Sequence, residues 1–180
     1  QQQTRRKQTE EYFYWTDAAQ AQGSTARSLR KSKFIAPKEV AYSLYVLALG
    51  GKQDVATMNY YKANRALLAL DGQYLLASTY QQLGDHASYQ SLLPRAFAGE
   101  VAQTAFGGSF YSYVRDEAIA LNALLEADPN NPQIATMVRH LSDALKRQDN
   151  GYHYNTQENA FALLALGKFV RKQGETNAKA

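Results

Sequence analysis

Three short stretches constrain this chain more than anything else in it. Ala41-Tyr42-Ser43-Leu44-Tyr45-Val46-Leu47, Ala118-Ile119-Ala120-Leu121-Asn122-Ala123-Leu124 and Ala160-Phe161-Ala162-Leu163-Leu164-Ala165-Leu166 share one frame of small and large apolar residues. In each, an acid stands two positions before the first alanine: Glu39, Asp116 and Glu158. Asp71 before Gln73-Tyr74-Leu75-Leu76 is a fainter fourth copy. The copies recur every ~30–45 residues, which fits one helical hairpin per repeat, as in stacked helix-pair arrays and α/α toroids.

The repeated segment is apolar on more than one side. Ala160, Leu163, Leu164 and Gly167 form one stripe, and Phe161, Ala165 and Phe169 form another. Such a helix belongs between neighbours rather than on a surface. The expected fold class is therefore all-α, an α/α toroid-type array of antiparallel helix hairpins, here an incomplete toroid. Helices are expected near 37–50, 54–66, 71–83, 86–97, 114–127, 132–147 and 156–173, with a further segment covering parts of 4–22. Strand signals are nearly absent, since alternating β-branched runs do not occur. The expected organisation is an N-terminal helical or linker segment (1–36), a hairpin array (37–175) and a flexible tail (176–180).

The punctuation agrees with this. Pro37 suits the first position of a helix, and Gly50-Gly51 offers a left-handed C-terminal cap. Asp71 and Asp85 are placed to cap the helices after them. Pro94 should kink or shorten the 86–97 segment. Asp128-Pro129-Asn130-Asn131-Pro132 reads as a stop, a turn and a restart.

Chemistry is harder to find. The 180 residues contain no cysteine, which removes disulfides, thiolate metal sites and cysteine nucleophiles together. The three histidines, His86, His140 and His153, have no ligand spacing, so neither a metal nor a cofactor is expected. No phosphate loop or nucleophile elbow occurs. Net charge is +4. The densest basic run, Arg27, Arg30, Lys31 and Lys33, follows Arg5, Arg6 and Lys7 and reads as a solvated segment rather than a nucleic-acid contact. No apolar run reaches the ~20 residues of a membrane span. Any targeting signal is expected to have been removed or to lie outside this stretch.

Glu39, Asp116 and Glu158 could converge as the carboxylates of an α/α-barrel enzyme do. Each also falls in the first turn of its helix, where the dipole and the free N–H groups favour negative charge, and capping is the favoured reading. Asn155 or Thr156 as N-cap with Glu158 reaching back forms a capping box, the Asn155-x-x-Glu158 spacing fitting best. Among the thirteen tyrosines, Tyr111 and Tyr113 in Phe110-Tyr111-Ser112-Tyr113, and Tyr152 and Tyr154 in Tyr152-His153-Tyr154, are the candidate interface residues. Tyr80-Gln81-Gln82-Leu83-Gly84-Asp85 is worded like a tetratricopeptide helix end, though in a single copy without that fold's period.

Four segments in order, "VAYSLYVLALGGKQD", "YLLASTYQQLGDHASYQSLL", "FYSYVRDEAIALNALLEADPNNPQI" and "YHYNTQENAFALLALGKFV", resemble the thioester-domain region of bacterial alpha-2-macroglobulins. The most specific is the helix start Asn155-Thr156-Gln157-Glu158-Asn159 before its Ala/Leu block, followed by Arg115-Asp116. The resemblance covers about residues 37–172. It implies an α/α toroid in a large, extracytoplasmic envelope protein that traps proteases after bait cleavage, with neighbouring domains of the same polypeptide and target proteases as partners. In many members a Cys-x-Glu-Gln thioester then attaches the protease. This chain has no cysteine and so no thioester, which makes it a non-catalytic scaffold under the resemblance, corresponding to the later part of the domain. The other readings are a helical-repeat interaction scaffold and, behind it, the α/α-barrel enzyme. An incomplete toroid should also leave helix faces uncovered at its ends, giving exposed apolar patches or a dimer.

Overall fold

The structure, a computed structural model, describes residues 8–16, 30–102, 112–146 and 155–177. It is mostly helical, with one small sheet. Strands β1 (Glu10–Trp15), β2 (Arg30–Ile35) and β3 (Val101–Ala102) pair antiparallel in the order β2-β1-β3, with Glu10 opposite Ile35 and Tyr14 opposite Ala102. Seven α-helices are described: α1 (Lys38–Leu49), α2 (Val55–Ala63), α3 (Leu70–Gln82), α4 (His86–Leu92), α5 (Tyr113–Ala127), α6 (Gln133–Lys146) and α7 (Thr156–Asn177). A single 3₁₀ turn, Arg65–Leu67, leads into α3.

A helix covering parts of 4–22 and a helical or linker segment before residue 37 were expected; Glu10–Trp15 and Arg30–Ile35 are strands instead, and 4–7 and 17–29 lie outside the described residues. Glu10–Trp15 carries four consecutive aromatic residues, which favour a pleated, half-buried surface over a helix. The signal is not β-branched alternation, so a search for that pattern passes over it. The basic run 30–33 opens an outer strand of the sheet, where lysines discourage further strand pairing.

Local chemistry explains the helix ends. At the end of α1, Gly51 adopts φ +70°, its N–H donating to the Ala48 carbonyl while Lys52 N–H donates to Leu47. Both bonds of a Schellman cap are therefore present. The same cap closes α3, where Gly84 has φ +82° and Asp85 N–H donates to the Tyr80 carbonyl. The Tyr-x-x-Leu-Gly-Asp wording is thus a helix stop and restart in one. Asp85 at once becomes the N-cap of α4, accepting from Ser88 N–H at 2.9 Å. Asp54 does the same for α2 through Thr57 N–H at 3.0 Å. The segment expected to reach 97 stops at Leu92, because the residue before Pro94 is pushed out of the helical region; Leu93 has ψ 122°. At the other extreme, α7 runs past the expected 173 to Asn177.

Helices α1, α3, α5 and α7 pack side by side in that order, with α4 laid on α3 and α6 on α5 and α7. These four are the helices bearing the repeat, and they form one layer. Their starts lie at one end: Lys38 of α1 meets Asp71 of α3 and Asp116 of α5, and Ser112 before α5 meets Glu158 of α7. The layer is therefore parallel, and the chain returns between its helices through the segments that carry α2, α4 and α6. Leu76, Leu121, Leu124 and Met137 are essentially inaccessible at its centre. Tyr12, Ile35, Ala69 and Ala102 form a second, smaller core under the sheet.

Candidate functional site

The starts of the layer helices gather an unusual number of buried charges. Asp71, Arg115, Asp116, Glu117 and Glu158 are all buried. Each arrives there by helix register. Asp71 is the second residue of α3, and Arg115, Asp116 and Glu117 are the third to fifth residues of α5, about 100° apart around its axis, so that they address different neighbours.

The first group surrounds Lys38, the opening residue of α1. Its ammonium donates to Asp71 Oδ2 at 3.1 Å and to Asp116 Oδ2, and lies 5.7 Å from the Tyr12 ring centroid. Arg115 Nη2 donates to Asp116 Oδ1 at 3.3 Å. Three helices and the central strand thus meet at one ion cluster. Burial, helped by the neighbouring Asp71 charge, pushes the Asp116 carboxyl up to about 7, while Lys38 and Arg115 pull against it. Desolvation therefore outweighs the two cations, and Asp116 is partly protonated at neutral pH.

The second group faces α6. Glu117 Oε1 lies 3.1 Å from His140 Nδ1, and Glu117 also shares a hydrogen bond with Tyr113. Burial pushes the Glu117 carboxyl up to about 8, partly opposed by that bond. Protonation of Glu117 spares this buried position a net carboxylate charge. Nearby, Tyr74 hydroxyl donates to Gln133 Oε1 at 2.5 Å, and Gln133 Nε2 donates to the Pro94 carbonyl at 2.9 Å. Phe97 fills the space between Tyr74 and Tyr113, with ring centroids at 5.6 and 5.8 Å.

The third group is the start of α7. Asn155 N–H donates to Glu158 Oε2 at 2.7 Å, and Glu158 N–H donates to Asn155 Oδ1 at 2.9 Å, which completes the expected capping box. Asn155 is thus the N-cap and Thr156 the first helical residue. Ser112, itself the N-cap of α5, donates its hydroxyl to Glu158 Oε1. One carboxylate therefore caps α7 and ties it to α5. Gln157 is exposed while its neighbour Glu158 turns inward, so the two do not act as a pair. Asn159 is half-buried, its N–H donating to the Asn155 carbonyl at 3.1 Å.

The three acids weighed as a converging set do not converge. Glu39 is exposed, Asp116 belongs to the Lys38 cluster and Glu158 to the capping box. Capping describes Glu158 but not Asp116, whose oxygens go to cations. Asp71 likewise does not cap α3, whose N-cap is Ala69; it is one residue too far inside and bonds Lys38 instead. Sequence reasoning missed Lys38 and Asp71 as partners. The available signal was the fourth repeat copy, which puts Asp71 in register with Asp116.

Among the candidate interface tyrosines, Tyr113 is half-buried against the core, with Phe97 and Glu117, rather than lining a groove. Tyr111, Tyr152 and Tyr154 lie outside the described residues, as does His153. His86 bonds Gln81 at 2.7 Å. Among the described residues no three acidic or histidine side chains are grouped to hold a metal ion, and no helix is long and apolar enough to cross a membrane.

The exposed apolar residues lie elsewhere, mainly on the two outer helices of the layer. On α1 these are Tyr42, Val46, Leu47 and Leu49, and on α7 Leu163, Leu164 and Val170. Apolar side chains are thus exposed at the two edges of the layer. No family model matches the chain, and no curated protein or solved structure matches it either.

Proposed function

We propose that this chain is a non-catalytic helical body of an alpha-2-macroglobulin-like protease trap, resident in the bacterial envelope, that packs against other parts of that large protein and moves with them as a unit. The observation that carries the reading is the parallel helical layer, locked at one end by buried ion pairs and bare and apolar at both edges. Polar groups buried among helix starts hold the helices in register and leave little freedom for internal rearrangement. The wording of the α7 start adds the family resemblance. The buried carboxylates serve this body as fasteners: each is engaged with a cation, a histidine or a helix end.

The test uses the full-length parent protein and a broad-specificity protease. A trapped protease keeps its activity on a small chromogenic peptide and loses it on a large protein substrate. Unimpeded digestion of the large substrate at a molar excess of the parent removes this reading.

A further inference from the structure

The outward face of α7 is built like a helix–helix seam. In the repeat frame, Ala160, Leu163, Leu164 and Gly167 of α7 occupy the places of Ala41, Leu44, Tyr45 and Ala48 of α1. Those four α1 residues are all buried, and Ala41 sits against α3, where a Cβ on Gly72 would stand 3.5 Å from the Ala41 Cβ. Their α7 counterparts are all exposed, Leu163 and Leu164 by 62% and 66%. Among the described residues the glycines of this stripe make no close contact: a Cβ on Gly167 or Gly174 would meet nothing within 4 Å. Glycine inside a helix is destabilising by ~0.5–1 kcal/mol relative to alanine, and here no internal contact offsets that.

The outward face of α1 shows the reverse. Tyr42 and Val46 correspond to Phe161 and Ala165, the residues with which α7 packs into the core beside α5. They are 44% and 48% exposed. One edge of the layer thus carries the residues that receive a following helix, and the other carries those that follow.

We propose that the α7 face of one copy docks onto the α1 face of a second copy, extending the layer in parallel as α1-α3-α5-α7-α1-α3. The occupant is identified by continuity with the seams already in the layer: the apposed positions are those that join α1 to α3 and α5 to α7. This inference does not rest on the protease-trap reading: it assigns the α1 and α7 edges to a second copy, and leaves other surfaces for contacts with the rest of a parent protein. Because the two faces differ, the contact is head-to-tail, and it produces closed rings or longer chains according to the rotation per copy.

The absence of cysteine makes the test direct. Three single variants, Val46→Cys, Leu164→Cys and Leu163→Lys, alter exposed positions, and thermal melts establish that each is folded. Sedimentation of the unaltered chain over a wide concentration range is expected to show association, which Leu163→Lys abolishes. A short bismaleimide cross-linker is expected to join a Val46→Cys chain to a Leu164→Cys chain in a mixture, with little product from either variant alone. A monomer at every concentration overturns the proposal and assigns these faces to a different occupant. Dimers formed by Leu164→Cys alone overturn it in favour of a symmetric α7–α7 contact.

Discussion

Helices α5 and α7 begin alike, each with an acid two residues before an Ala-x-Ala-Leu block in which x is large and apolar, yet they end in opposite environments. In α5 every residue from Val114 to Leu121 is buried, three charged side chains among them. In α7, among the residues whose side chains are described, only Glu158, Ala162 and Ala165 are buried. The difference lies in their neighbours. α5 has α3 on one side, α7 on the other and α6 across it, whereas among the described elements α7 packs mainly on α5 and α6. An apolar pattern on several faces thus states how many neighbours a helix can take, and the fold decides how many it has.

The largest effect that would sharpen this contrast concerns the charges of the central helices. Lys38→Met leaves Asp71 and Asp116 buried without their shared cation and should lower stability by about 3–5 kcal/mol at pH 8. The loss should shrink at pH 5, where Asp116 is protonated, as urea denaturation at the two pH values would report. An equal loss at both would mean that Asp116 is ionised throughout.

Next comes the comparison of repeat-equivalent leucines. Leu121→Ala opens a cavity at a position with no exposure and should cost about 2–5 kcal/mol. Leu163→Ala, at the matching place in α7, should change the stability of the dilute chain by no more than ~0.5 kcal/mol. Similar losses at both positions would mean that the α7 face is covered in solution.

Stability should also depend on pH with a definite sign. Asp116 near 7 and Glu117 near 8 lie above the ordinary carboxylate range, so the folded chain holds protons that the unfolded chain releases. That stabilisation is complete below about pH 4 and is lost as the pH rises through the folded values of about 7 and 8. Unfolding free energy from urea titrations should therefore fall between pH 5 and pH 9, by several kcal/mol. Glu117→Gln should flatten the upper part of the curve; an unchanged slope would remove Glu117 as its source.

Smallest is Gly167→Ala. With open space at the Cβ, it should raise the melting stability of the dilute chain by ~0.5–1 kcal/mol. A loss would place a neighbour against α7.

Much of this molecule was legible from residue order alone because the signals are local. A Schellman cap needs a glycine at one position, a capping box needs Asn155 and Glu158 three apart, and Pro94 ends α4 wherever the helix lies. The repeat at 41, 118 and 160 marked the layer helices, since one frame of small and large apolar residues makes one kind of packing surface. The aromatic strand Glu10–Trp15 was not legible, because its pairing partners lie at 30–35 and 101–102, and nothing within six residues announces a sheet. Nor was the fate of the acids. Glu39, Asp71, Asp116 and Glu158 look equivalent in sequence, but one is solvated, two share a lysine and one closes a capping box onto Ser112. Which of these a carboxylate becomes depends on what three other helices bring within 3 Å of it, and only the tertiary structure decides that.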